Sequence, residues 1–147
     1  MKILIAEDDT ASLLLLEATL KKLGHEVVAT PDGRQAWIAF QKEYFPVVVS
    51  DWMMPEFDGL MLCRAIRSVH RDHYTMIILL TALDGKANYL EAMKAGADDF
   101  LTKPLDADLF AARLEVAARI LGLRMQVKQL EGLLPICAHR KRIRDEK

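Results

Sequence analysis

One pattern constrains this chain more than any other: five times over, a short run rich in Val, Ile and Leu is followed by a segment whose apolar residues recur at helical spacing. Antiparallel strands can be joined by a tight turn, but parallel strands need a crossover, usually a helix. Five such units in 147 residues predict one α/β domain on a parallel sheet, followed by a tail. The predicted strands are Lys2–Ala6, His25–Ala29, Pro46–Ser50, Thr75–Leu80 and a short Asp98–Leu101. Pro46–Ser50 is apolar on both faces, as a covered central strand should be.

The first predicted helix, about Ala11–Leu23, sets Leu13, Leu16, Leu20 and Leu23 on one face and stops at Gly24. Asp32 caps a second over Arg34–Glu43, with Ala36, Trp37 and Phe40 facing inward. After a loop at Asp51–Asp58 come a third at Gly59–Val69 and a fourth from an Asp84 cap to Ala95, stopped by Gly96. The fifth opens at an Asp106 cap and continues to about Leu134, just before Pro135.

Composition narrows the class. Residues 1–121 hold 13 Lys/Arg against 18 Asp/Glu, while residues 122–147 hold 7 against 3, so a mildly acidic domain carries a basic tail. Cys63 and Cys137 lack the paired spacing that a disulfide framework or a four-cysteine zinc site requires, and a reducing cytoplasm fits best. Only four apolar residues follow Met1-Lys2 before three acids, too few for a signal-peptide core, and no apolar run is long enough to span a membrane. The chain is read as soluble and not exported.

The chemistry stands at the strand ends. Glu7-Asp8 follows strand one, Asp51 strand three, Thr81 strand four, and Lys103 lies just past strand five. Ligands of open α/β sheets bind outside the carboxyl ends of the strands, so these groups would converge in one crevice. Taken singly, Glu7, Asp8 and Asp9 read as capping acids, Thr81 as a helix cap and Lys103 as a solvated charge. Taken together they read as a site for Mg²⁺ and a phosphoryl group, because carboxylates sharing a crevice repel one another unless a hard cation neutralises them.

The ordered motifs Ile5-Ala6-Glu7-Asp8-Asp9, Asp51-Trp52-Met53-Met54-Pro55 with Asp58-Gly59, Leu80-Thr81-Ala82, and Gly96-Ala97-Asp98-Asp99-Phe100-Leu101-Thr102-Lys103-Pro104 resemble the receiver domain of the two-component response-regulator family, from Lys2 to about Leu121. The resemblance implies a flavodoxin-like, doubly wound five-stranded parallel sheet in the order 2-1-3-4-5, with helices on both faces, to which the residues beyond Asp106 add an extended C-terminal helix. It implies Asp51 as phosphoacceptor, with Mg²⁺ held by Asp8, Asp51 and the backbone carbonyl of Met53, and by Glu7 through water. Thr81, Lys103 and the backbone N–H groups of Met53 and Ala82 would contact the phosphoryl oxygens. Lys103-Pro104 would be a cis peptide. Thr81 and Phe100 would form a switch that alters the surface of helix four, strand five and helix five. The donor would be a sensor histidine kinase or a phosphotransfer protein, and the chain a signalling module rather than an enzyme.

Two other classes fit less well. A haloacid-dehalogenase-like phosphatase requires Asp-x-Asp after strand one, where this chain has Glu7-Asp8-Asp9. A flavodoxin-like FMN carrier should offer hydroxyls and N–H groups in that loop, not three acids.

Residues 122–147 are read as a helical extension and basic tail. Val116, Ile120, Leu123, Val127, Leu130 and Leu134 alternate spacings of four and three, the seam of a short coiled coil, although a helix laid on its own domain would look similar. A homodimer through this extension, or through helix four, strand five and helix five, is expected. For the second geometry, Asp99 and Arg113 match paired positions of one response-regulator subfamily, while Leu109 replaces an acid. The run His139-Arg140-Lys141-Arg142-Ile143-Arg144 reads as a solvated end rather than a nucleic-acid contact, and Cys137 with His139 offers two metal ligands without a partner pair. With no DNA-binding, cyclase or kinase segment present, the chain is read as a stand-alone receiver or a piece of something longer.

Overall fold

The strands β1 (Lys2–Ala6), β2 (Glu26–Thr30), β3 (Val47–Asp51), β4 (Met76–Thr81) and β5 (Asp99–Thr102) form one parallel sheet in the order β2-β1-β3-β4-β5. They alternate with α1 (Thr10–Lys22), α2 (Gly33–Lys42), α3 (Gly59–Ser68), α4 (Lys86–Ala95) and α5 (Ala107–Leu133). The computed structural model describes residues 1–82 and 85–133, with side chains through Leu130. The roles read for Asp84, Leu134, Pro135, Cys137 and the basic run from His139 therefore lie outside the described residues.

Strand side chains alternate between two apolar layers. Leu4, Val48, Ile77 and Leu79 pack against Phe40, Leu62 and Ile66 beneath α2, α3 and α4. Ile3, Val47, Val49 and Ile78 pack against Leu16, Leu20, Phe110 and Leu114 beneath α1 and α5. This is the doubly wound flavodoxin-like arrangement that the motifs implied. Aspartates close several helix starts: Asp9, Asp32, Asp58 and Asp106 accept from the backbone N–H of Ser12, Gln35, Met61 and Leu109 at 2.9, 2.8, 2.9 and 3.1 Å.

The structure moves several boundaries by one residue. β2, β3, β4 and β5 each end one residue later than read, at Thr30, Asp51, Thr81 and Thr102. The polar residue that ends each run still pairs its backbone in the ladder, Thr30 with Ala6, Asp51 with Leu80 and Thr81 with Thr102. Helices α1 and α2 begin and end one residue earlier, and Leu23, read as inward, is exposed because the helix stops at Lys22. The N-cap of α4 is Gly85, at φ +102° and without a side-chain cap.

Helix α5 presents two stripes. Phe110, Leu114, Ala117 and Leu121 pack on the sheet, whereas Val116, Ile120, Leu123, Val127 and Leu130 are 36–61% exposed. Of this second stripe, Ile120, Leu123 and Val127 line a cleft between α5 and the domain. Among the described residues no helix is long and apolar enough to cross a membrane.

Two glycines should respond in opposite directions to alanine. At Gly59 a Cβ would lie 2.5 Å from the Asp51 carbonyl oxygen and 2.9 Å from the Trp52 Cα, both backbone atoms that cannot swing aside. Gly59→Ala should lower the unfolding free energy by about 1–3 kcal/mol. Gly122, mid-helix with nothing within 4 Å of its Cβ position, should gain about 0.4–1 kcal/mol as alanine. Urea unfolding of both variants checks the signs.

Candidate functional site

β1, β3 and β4 end side by side, so the residues at or just beyond their carboxyl ends share one edge of the sheet. Glu7, Asp8 and Asp51 each bring a carboxylate oxygen there, all within 4.8 Å of one another. Glu7 and Asp51 are buried, at 3% and 8% exposure, and Asp8 is exposed. Asp9 does something else. Its Oδ2 accepts from the Ser12 backbone N–H at 2.9 Å and from the Ser12 hydroxyl at 2.6 Å, which fixes the start of α1. Of the three consecutive acids, then, one caps a helix and two enter the crevice.

Lys103 reaches the same place from beyond β5. Its backbone N–H donates to the Thr81 carbonyl at 2.7 Å, and its peptide bond to Pro104 is cis, as the motif implied. The ammonium donates to Glu7 Oε1 at 2.6 Å and lies 3.2 Å from Asp51 Oδ2. Burial pulls the Lys103 amine down, but its contacts with Glu7 and Asp51 outweigh that and hold it above its ordinary range. Glu7 is raised, first by burial and then by its contact with Asp51, against the opposing pull of Lys103.

The second carboxylate oxygen of Glu7, Oε2, is buried with no hydrogen-bond partner among the described residues. A buried unsatisfied carboxylate oxygen is costly. Two unit charges about 4 Å apart interact by about 4 kcal/mol at an effective dielectric of 20, so three carboxylates facing one ammonium call for a further cation. An orphaned oxygen among hard oxygen donors suits a divalent ion such as Mg²⁺.

Thr81 is fully buried at the end of β4, and Ala82 beside it is exposed. Met53 stands 61% exposed two residues after Asp51, while Met54 turns into the core. Phe100 is half-buried, with its ring set edgewise to Trp52 at 5.8 Å and to Tyr89 at 6.1 Å. The aromatic read as a switch therefore lies between the residue next to Asp51 and helix α4. Sequence reasoning missed Trp52 and Tyr89 as its neighbours; only the position of Trp52 directly after Asp51 hinted at this. It also missed the Glu7–Lys103 pair, which joins residues 96 positions apart. Asp99 and Arg113 pair within the chain, Nη1 to Oδ1 at 2.6 Å, and Leu109 is exposed on the same helix as Arg113.

The comparisons with known proteins agree with this geometry. The family model described as "Response regulator receiver domain" matches residues 3–115. The chain is 39% identical over 118 residues to the probable transcriptional regulator ycf27 of Galdieria sulphuraria, covering 80% of this chain and 45% of that protein. It is 32% identical over 131 residues to the response regulator PleD of Caulobacter vibrioides, covering 89% and 29%. The chain thus spans less than half the length of these relatives. Among solved structures, the BeF3-activated N-terminal receiver domain of Klebsiella pneumoniae RstA matches with a TM-score of 0.74 at 34% identity, over 81% of this chain and 99% of that one. The Vibrio cholerae chemotaxis protein CheY4 gives a TM-score of 0.74 at 29% identity, over 79% and 97%. The motifs at the strand ends, the sheet order and the family match lead to one conclusion: the chain belongs to the receiver-domain family of response regulators.

Proposed function

We propose that Asp51 accepts a phosphoryl group from the phosphohistidine of a sensor kinase or phosphotransfer protein, and that residues 1–121 form the unit that does so. The observation that carries this reading is the single ammonium of Lys103 held between Glu7 and Asp51 beside a third carboxylate, Asp8. An Asp51 carboxylate oxygen attacks phosphorus in line; the oxygen–phosphorus bond forms as the phosphorus–nitrogen bond breaks, leaving an acyl phosphate and a neutral imidazole. Lys103 already stands 3.2 Å from Asp51 Oδ2, so a small shift away from Glu7 brings its charge to the incoming oxygens. The Thr81 hydroxyl and the backbone N–H groups of Met53 and Ala82 hold the remaining oxygens. Mg²⁺, when bound by Asp8, Asp51 and the Met53 carbonyl, with Glu7 through water, supplies counter-charge to the transferring group.

The new dianion draws Thr81 toward it, and Phe100 then turns inward from its edgewise contacts with Trp52 and Tyr89. A local charge change thereby biases the α4–β5–α5 surface that a partner or output domain reads. A reducing cytoplasm suits this module, whose Cys63 thiol is free and buried. Residues 122–147 serve as a linker and dimer seam. The exposure of Val116, Ile120, Leu123, Val127 and Leu130 supports a partner helix along this stripe.

Incubation with Mg²⁺ and acetyl phosphate should add one phosphoryl group by intact-mass spectrometry, and EDTA or Asp51→Asn should abolish it. Equal labelling of the Asn variant would refute the assignment. Because the crevice carries excess negative charge, Asp8→Asn in EDTA should raise the melting temperature by about 2–5 °C. The same variant should lose most of the stabilisation that Mg²⁺ gives the unaltered chain, which is about 2.7 kcal/mol at a hundredfold excess over Kd. Sedimentation should show partial dimer for the full chain and monomer after removal of the residues beyond Gly122; a full-length monomer at high concentration would reject the seam.

A further inference from the structure

At the opposite end of the strands from the acidic crevice, a cleft of about 780 Å³ opens between the sheet's N-terminal edge and the outer half of α5. Small-molecule sites run from about 300 to 1,000 Å³. Much of the wall is apolar, with Met1 and Pro46 on the domain side and Ile120, Leu123 and Val127 on the helix. Its charges are mostly of one sign. Arg71, Arg124 and Lys128 line it, and among the described residues Asp72 is the one acid that does.

Arg124 is the informative group. Its guanidinium carbon lies 4.0 Å from the centroid of the Tyr74 ring, and that of Arg67 lies 4.5 Å from the same centroid, so the ring is held between two cations. Tyr74 is itself fixed. Its hydroxyl donates to Asp98 Oδ1 at 2.6 Å, its carbonyl accepts from the Tyr44 hydroxyl at 2.6 Å, and Asp98 Oδ2 accepts from Arg67 Nη2 at 2.7 Å. Burial, then the contact with Asp98, push the Tyr74 phenol up to about 12, which keeps the ring neutral. Arg67 also donates to the carbonyls of Gly96 and Thr75, at 2.9 and 2.8 Å.

Arg124 has no such partners. Among the described residues its guanidinium meets neither a carboxylate nor a carbonyl, only the Tyr74 face. Stacking uses the face of the planar group and leaves its in-plane N–H donors open. The neighbouring ammonium of Lys128 donates to the Asp72 backbone carbonyl. A pre-oriented guanidinium fork in a cationic, largely apolar cleft is built for an anion with an apolar body. The planar fork matches a carboxylate in a two-bond pairing.

We propose that this cleft binds a small amphipathic carboxylate, its head on Arg124 with Lys128 adding charge, and its apolar body against Ile120, Leu123 and Val127. A ligand seated there touches both the domain and the α5 extension, and it competes with a partner helix for Ile120, Leu123 and Val127. The proposal does not depend on phosphorylation of Asp51.

The test is titration of the full chain with 2-naphthoate, followed by calorimetry and by the NMR shifts of the Arg124 Nε–H and Tyr74 ring. Saturable binding is expected, with the neutral 2-naphthamide weaker by about tenfold or more and acetate, a head without a body, not binding. 2-Naphthyl phosphate distinguishes a phosphate site and should bind no tighter than the carboxylate. Arg124→Gln and, separately, Met125→Glu, which places like charge on an exposed part of the cleft wall outside the seam, should each weaken 2-naphthoate by about tenfold or more with unchanged helix content. Equal affinity for acid and amide, unchanged affinity in both variants, tighter binding of the phosphate, or no saturable binding would each overturn the proposal; the last would leave Arg124 as a tether for the helix only.

Discussion

Three carboxylates and one ammonium share the functional end of this sheet, and their electrostatics govern what that end can do. Lys103 is anchored through its backbone to Thr81 and through its side chain to Glu7 and Asp51, so it ties three strand ends to the loop that follows β5. One positive charge cannot balance three negative ones at these separations. Among the described residues the buried Oε2 of Glu7 has no hydrogen-bond partner, which leaves it open to a cation. A crevice in this condition gains from a divalent cation.

The topology is what permits this. The acids come from β1 and β3, the threonine from β4 and the lysine from beyond β5, so only a parallel sheet with β3 between β1 and β4 brings all four carboxyl ends to one edge. Gly59 contributes from α3, because a side chain there would collide with the Asp51 carbonyl and push the loop after β3 away.

Much of this was legible in the sequence, and the exceptions have physical causes. Strand runs, capping aspartates and the polar residues after each run were readable because each depends on near neighbours along the chain. The strand ends were read one residue short, since a polar residue such as Asp51 breaks the apolar run while its backbone still pairs with Leu80. Asp9 looks like Glu7 and Asp8 in the sequence, and only the backbone turn at α1 assigns it to Ser12 rather than to the crevice. The Glu7–Lys103 pair, the ring contacts of Phe100 with Trp52 and Tyr89, and the Arg67–Asp98–Tyr74 network all join distant segments, and no spacing rule reaches them. The two faces of α5 were ambiguous for a related reason: an apolar seam has the same period whether it meets a partner or its own domain, and only tertiary packing shows that Leu114 and Leu121 lie on the domain.

A structure of the chain with Mg²⁺ and beryllofluoride, a phosphoryl analogue, tests the central claim most directly. The expected result is beryllium bonded to an Asp51 carboxylate oxygen, the Lys103 ammonium moved from Glu7 onto one fluoride, and the Thr81 hydroxyl on another. Beryllofluoride bound away from Asp51, or bound there while Lys103 keeps its contact with Glu7 and makes none to fluoride, would contradict the role given to this cluster.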